Sequence, residues 1–358
     1  MRVMPELALF VFLNKERIST FLILRYMIIF SGISAGLRRR CLTSAAALVG
    51  LFFVCINAQA QRFPARNVVW EAKLKWQVAF LADSLCDGRA TGTRGGTEAA
   101  FFIERRFREA GLDPIGESGA VGHNIIGFMN GSRKVHESEY VIVGAHFDHL
   151  GNFSGKMYPG ADDNASGVVT AISLAEMFRI SKIIGKAYFK NIIFVAFDAK
   201  EKGLSGSAAF WTALENGRFR DPFTGKTIWP EMVKLMVNID QIGCSLSPLA
   251  SGREDYLLAV DGGTLGSRES ELLDWCNRIF ETNLELCHSY YGSENFTKVF
   301  FKITDQNIFA QHKIPSVLFT SGITMNNYKP WDSAQTLNYE VLKRRIWLIW
   351  HWLEYQLY

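Results

Sequence analysis

Asn191-Ile192-Ile193-Phe194-Val195-Ala196-Phe197 is an apolar run after its opening Asn, followed at once by Asp198-Ala199-Lys200-Glu201. Six apolar residues without polar alternation suit a strand covered on both faces. Residues 140–145, 233–239 and 316–320 read the same way, and 124–129 and 256–260 are further short strands. Between them lie helical patterns at 68–85, anchored by Trp70, Leu74, Trp76 and Phe80, and at 97–110, closed by Gly111. Others run over 165–178, 205–214, 272–280 and from 339 to the end. Strands alternating with helices predict one α/β domain of three layers, α/β/α, around a mixed, mostly parallel sheet. Residues 87–96 read as a loop, and 217–231 as a loop insertion rather than a domain boundary.

The 358 residues are 48% hydrophobic and 21% charged, which excludes a disordered chain, a collagen-like repeat and a small disulfide scaffold. Seven of the 39 Lys and Arg and two of the 35 Asp and Glu fall within residues 1–60, so the remainder carries a net charge of −1. The overall +4 therefore belongs to the leader, and no nucleic-acid partner is expected. No 18-residue apolar run follows residue 60, so no membrane association is expected beyond the leader. Arg38-Arg39-Arg40, the apolar stretch 42–56 and Asn57-Ala58-Gln59-Ala60 make a secretory signal with cleavage after Ala60. Two accounts of the long segment ahead of it stay open: a true start at Met27, or an over-extended reading frame. An uncleaved anchor is the alternative to cleavage. The expected organisation is a leader over 1–60 and a single domain over 61–358, exported to a periplasmic or extracellular location. Cys41 and Cys55 leave with the leader. Cys86, Cys244, Cys276 and Cys287 stay, and none forms a C-x-x-C pair. A Cys276–Cys287 disulfide and buried free thiols both remain open.

In an open parallel sheet, ligands bind beyond the carboxyl ends of the strands. There the chain places His146-Phe147-Asp148, Asp198-Ala199-Lys200-Glu201 and Asn238-Ile239-Asp240, with Asp162-Asp163-Asn164 opening a helix. Taken singly, these are a solvated loop start, a charged turn, a turn aspartate and an N-cap. Together they offer one imidazole and a carboxylate from each of three other segments, which can converge. That donor set suits zinc in a hydrolytic site.

Gly144-Ala145-His146-Phe147-Asp148-His149, Gly160 to Gly167, Phe194 to Ser207 and Asn238 to Gly243 resemble metallopeptidase family twenty-eight. These are co-catalytic zinc aminopeptidases, related to glutaminyl cyclases. Lesser marks are residues 87–93 and Pro330-Trp331-Asp332. The likeness spans about residues 68–357 and implies a zinc exopeptidase-like domain. It also implies roles. His146 is the imidazole ligand of the first metal, Asp148 its orienter, and Asp163 the bridging carboxylate ahead of a cis peptide. Glu201 is a ligand of the second metal, and Asp240 completes the first.

Two positions depart from the pattern. Lys200 stands where the family has the glutamate that accepts a proton, and a protonated Lys accepts none. Tyr328 stands at the position of the last imidazole ligand, and neutral Tyr is a poor ligand at pH 7. The family's Asp-His reads Asp305-Gln306. His149 and His312 are the nearest stand-ins for the lost imidazole, and both read as surface residues. The expected cofactor is zinc, one ion rather than two, or none. The expected function is an aminopeptidase-like protein acting on peptide or protein N-termini, with hydrolysis impaired or lost. The alternatives are a catalytically silent homologue that binds peptides or a partner and, more distantly, a glutaminyl cyclase.

Overall fold

The computed structural model describes residues 63–114, 123–131, 139–245 and 252–358. The signal reading, with Met27, Arg38 to Arg40, Cys41, Cys55 and Ala60, lies outside the described residues. The strands are β1 (Asp113–Pro114), β2 (Ile125–Met129), β3 (Tyr140–His146), β4 (Gly151–Phe153), β5 (Lys156–Tyr158), β6 (Asn191–Phe197), β7 (Val233–Ile239), β8 (Tyr256–Val260), β9 (Glu285–Cys287) and β10 (Ser316–Thr320). The helices are α1 (Glu71–Leu81), α2 (Arg94–Glu109), α3 (Gly167–Ile183), α4 (Ser205–Glu215), α5 (Ser267–Ile279), α6 (Glu294–Lys302), α7 (Asn307–Gln311) and α8 (Tyr339–Gln356).

Eight strands form one mixed sheet in the order β1-β2-β6-β3-β7-β10-β8-β9, while β4 and β5 form a separate hairpin. The four central strands, β6, β3, β7 and β10, are parallel, and antiparallel pairings flank them. The apolar runs are buried on both sides, as their lack of alternation requires. Ile192, Phe194 and Ala196 of β6 join a core with residues of α1, α2, α3 and α8. Ile193, Val195 and Phe197 join another with Phe210 and Trp211 of α4 and Phe309 of α7. The 217–231 loop closes that second face through Phe219 and Ile228.

The helix expected over 68–85 is shorter. Trp70 is extended at its N-cap, a 3₁₀ turn Pro64–Val68 precedes it, and it ends at Leu81. Helix α2 begins three residues earlier than its apolar pattern, because the Thr93 hydroxyl caps it by accepting from the Gly96 amide. The hairpin, β1, β9, α6 and α7 were not expected from the sequence. Cys86, Cys244 and Cys276 are buried free thiols and Cys287 is a partly buried one, so Cys276 and Cys287 form no disulfide. No described helix is long and apolar enough to cross a membrane.

Parallel register positions the site. His146 lies opposite Phe197, and Gly144 lies opposite Asn238. The residues that follow β3, β6 and β7 therefore leave the sheet along one edge.

Candidate metal centre

His146 ends β3 fully buried. Its Nε2 lies 3.3 Å from Asp163 Oδ1 and 3.3 Å from Asp240 Oδ1. Asp240 follows β7, and its amide donates to the Phe319 carbonyl of β10 at 3.1 Å. Asp163 sits in the irregular turn Ala161–Ser166 ahead of α3, and its peptide to Asn164 is cis. Asn164 fixes that turn to the end of β7. Its Oδ1 accepts from the Gly167 and Gln241 amides, and its Nδ2 donates to the Ile239 carbonyl. The Asp332 carboxylate holds the turn from the other side, accepting from the Asp162 and Asp163 amides.

Asp148, which the resemblance makes the orienter, lies against the ring at Nδ1. His146 Nδ1 is 3.1 Å from the Asp148 backbone carbonyl but 3.6 Å from its carboxylate, beyond hydrogen-bond range. The carboxylate instead accepts from the Lys200 and Glu201 amides, both at 3.0 Å, and so ties the 198–201 loop to the end of β3.

Lys200 points into the site. Its Nζ is 2.9 Å from Glu201 Oε1 and 3.6 Å from Asp163 Oδ1. Burial opposes the ammonium, but Asp163, Asp240 and Glu201 outweigh it and hold the pKa well above the ordinary lysine value. Burial likewise opposes a charged His146, as does Lys200. Asp240, with Asp148 and Asp163, overrides both and raises its pKa. Tyr328 donates to Glu201 Oε2 at 3.0 Å. Burial, with Asp163 and Glu201 adding to it, pushes its phenol up to about 12, so it stays neutral.

His149 corrects the sequence reading. It is 1% exposed, not on the surface. Neither ring nitrogen has a hydrogen-bond partner among the described residues. Burial lowers its pKa to about 3, which leaves the ring neutral. His149, Asp163 and Glu201 each offer an atom within 4.8 Å of the others, as do His146, Asp163 and Asp240. His312 is elsewhere, exposed and stacked on Trp211 at 4.1 Å between ring centroids. Arg89 is the other residue whose role the sequence did not disclose. Its buried guanidinium donates to the carbonyls of Leu81, Phe147, Pro159 and Gly160 at 2.6–2.8 Å.

The first cluster fits zinc. Ligand bonds of about 2.0–2.1 Å at tetrahedral angles put ligand atoms about 3.3–3.4 Å apart, the spacing His146 shows to both carboxylates. Neither Asp163 oxygen carries a hydrogen bond among the described residues, so a buried carboxylate is left with lone pairs to give. The second cluster has the donor types but also the Lys200 charge beside them.

An α/β/α sheet with an imidazole and carboxylates gathered at the carboxyl ends of its parallel strands defines a metal-hydrolase-like class of protein. Within that class, the family model for peptidase family M28 matches residues 124–353, and the chain belongs to that family. It is 30% identical over 162 residues to leucine aminopeptidase 1 of Sclerotinia sclerotiorum, covering 43% of this chain and 38% of that protein. The chain thus spans well under two thirds of that relative's length. In structure it is similar to the LapA aminopeptidase of Legionella pneumophila, with a TM-score of 0.64 at 15% identity over 83% of this chain and 74% of that one. It is also similar to a glutaminyl cyclase of Porphyromonas gingivalis, with a TM-score of 0.54 at 15% identity over 80% and 99%. At such identities the structural likeness is one of fold.

Proposed function

We propose that this chain is an exported aminopeptidase-like protein that holds one zinc ion on His146, Asp163 and Asp240 and engages peptide N-termini, with peptide hydrolysis nearly or wholly lost. The observation that carries this reading is the Lys200 ammonium, ion-paired with Glu201 and Asp163 at the position where a proton acceptor is needed. Zinc at such a site polarises a peptide carbonyl and makes water more acidic. The chain's own part in the reaction is to accept the proton that water gives up. An ammonium has no lone pair for it, and Glu201 already accepts from Lys200 and Tyr328. General-base assistance is worth about 10²–10⁴-fold, and a deficit of that order is expected. The same ammonium counts against glutaminyl cyclisation, which also needs a carboxylate there to move a proton.

The test is a panel of aminoacyl reporter substrates on the zinc-loaded mature protein, with a chelator control. Turnover below about 0.1 s⁻¹, a hundredfold under a typical value of about 10 s⁻¹, is expected. Chelator-sensitive turnover at ordinary rates would overturn the reading. Export rests on the pattern of residues 38–60 alone. It predicts a mature N-terminus at Gln61, which N-terminal sequencing of the exported protein reads directly.

A further inference from the structure

We propose that His149, Asp163 and Glu201 form a second metal half-site that the Lys200 ammonium keeps closed, His149 supplying the imidazole that position 328 no longer provides. The proposal rests on the one-zinc reading above for the neighbouring half-site.

His149 is the evidence for a site rather than a chance cluster. It is buried, and neither ring nitrogen has a partner among the described residues. Native proteins rarely leave a buried polar ring unsatisfied without a role for it. The ring is also held in place. A Cβ on Gly160 would come within 2.6 Å of two of its carbons, so the absence of a side chain there makes room for it. Arg89 ties both ends of this arrangement: its guanidinium donates to the Gly160 carbonyl, and its own carbonyl accepts from the His149 amide at 3.2 Å.

Lys200 explains why the cluster holds together without a metal. Its Nζ sits against Glu201 and Asp163, two of the three proposed ligands. It supplies one positive charge where a divalent ion would supply two, and like charges so close repel. Tyr328 donates a hydrogen bond to Glu201, its ring centroid lies 6.0 Å from that of His149 and 5.8 Å from the Lys200 ammonium, and it adds no competing charge.

The test is zinc content per chain after dialysis, by elemental analysis, supported by the visible absorption of the cobalt-substituted protein. Wild type is expected to hold one ion, Lys200→Met two, and Lys200→Met with His149→Phe one again. Lys200→Gln should repeat the gain, and melting curves confirm that each variant is folded. The proposal is overturned if Lys200→Met and Lys200→Gln still hold one ion, if the second ion survives His149→Phe, or if wild type already holds two. A wild type with no ion, beside a Lys200→Met variant with one that His149→Phe removes, would support this half-site and refute the His146 reading.

Discussion

Lys200 and Tyr328 act on the same carboxylate, one as an ion-pair partner and one as a hydrogen-bond donor to Glu201. Replacing both should therefore do more than replacing either. Lys200→Glu with Tyr328→His returns a proton acceptor and frees Glu201. Chelator-sensitive hydrolysis of aminoacyl reporters is expected to rise at least about 10²-fold over wild type. An unchanged rate would mean that the substrate pocket itself has diverged. Asp305 offers a cleaner electrostatic case. It is fully buried, its oxygens lack hydrogen bonds among the described residues, and burial raises its pKa to about 6. The unfolded chain ionises it near 3.8, so in the metal-free protein stability falls as pH rises from about 4 to 6 and stays reduced above that range. Asp305→Asn removes that loss. Denaturant titration in chelator should show a gain of about 2–3 kcal/mol at pH 7.5 and almost none at pH 4. Equal gains at both values would place the effect in packing. The two departures at 200 and 328 were readable because they interrupt motifs whose other members are intact. His149 was not, because it lies in an irregular loop where no period predicts burial, and its depth depends on Gly160 and Arg89 in other segments.

At the scale of elements, the strands were legible and their accessories were not. A continuous apolar run such as Asn191–Phe197 has one sensible home, between two layers of helix. Beta 4, β5 and β9 are three residues each and carry no pattern of their own; tertiary pairing creates them. Helix α7, at five residues, is equally mute. What joins the elements near the site is Arg89, which reaches the end of α1, the residue after β3 and the turn before Asp163 through four carbonyls. Arg89→Met keeps the bulk of the stem but leaves those carbonyls buried without a donor. A loss of about 3–5 kcal/mol in denaturant titration is expected, on the ordinary cost of charge-assisted bonds broken in a core. Weaker zinc binding should accompany it, since both ligand-bearing segments lose their common anchor. A variant of unchanged stability would show that water replaces the guanidinium.

For the whole molecule, the metal and the fold draw on the same charges. Without zinc, His146 is protonated between Asp163 and Asp240, and its raised pKa stabilises the folded chain. That contribution is complete below the unfolded value near 6.5 and disappears as pH climbs through the folded one. A zinc ion on the same nitrogen requires the neutral ring, so binding expels the proton, and the expulsion becomes easier as pH rises. The zinc-loaded protein therefore escapes an alkaline loss that the chelated protein suffers. At a free zinc concentration about a thousand times Kd, binding adds about 4 kcal/mol, or about 8 °C in Tm for a domain of this size. The gap between zinc-loaded and chelated melting temperatures should be smaller at pH 6 than at pH 8. A gap that stayed constant or narrowed toward pH 8 would mean that His146 is neutral before the metal arrives. In that case the charge of the two carboxylates beside it would be offset chiefly by the Lys200 ammonium.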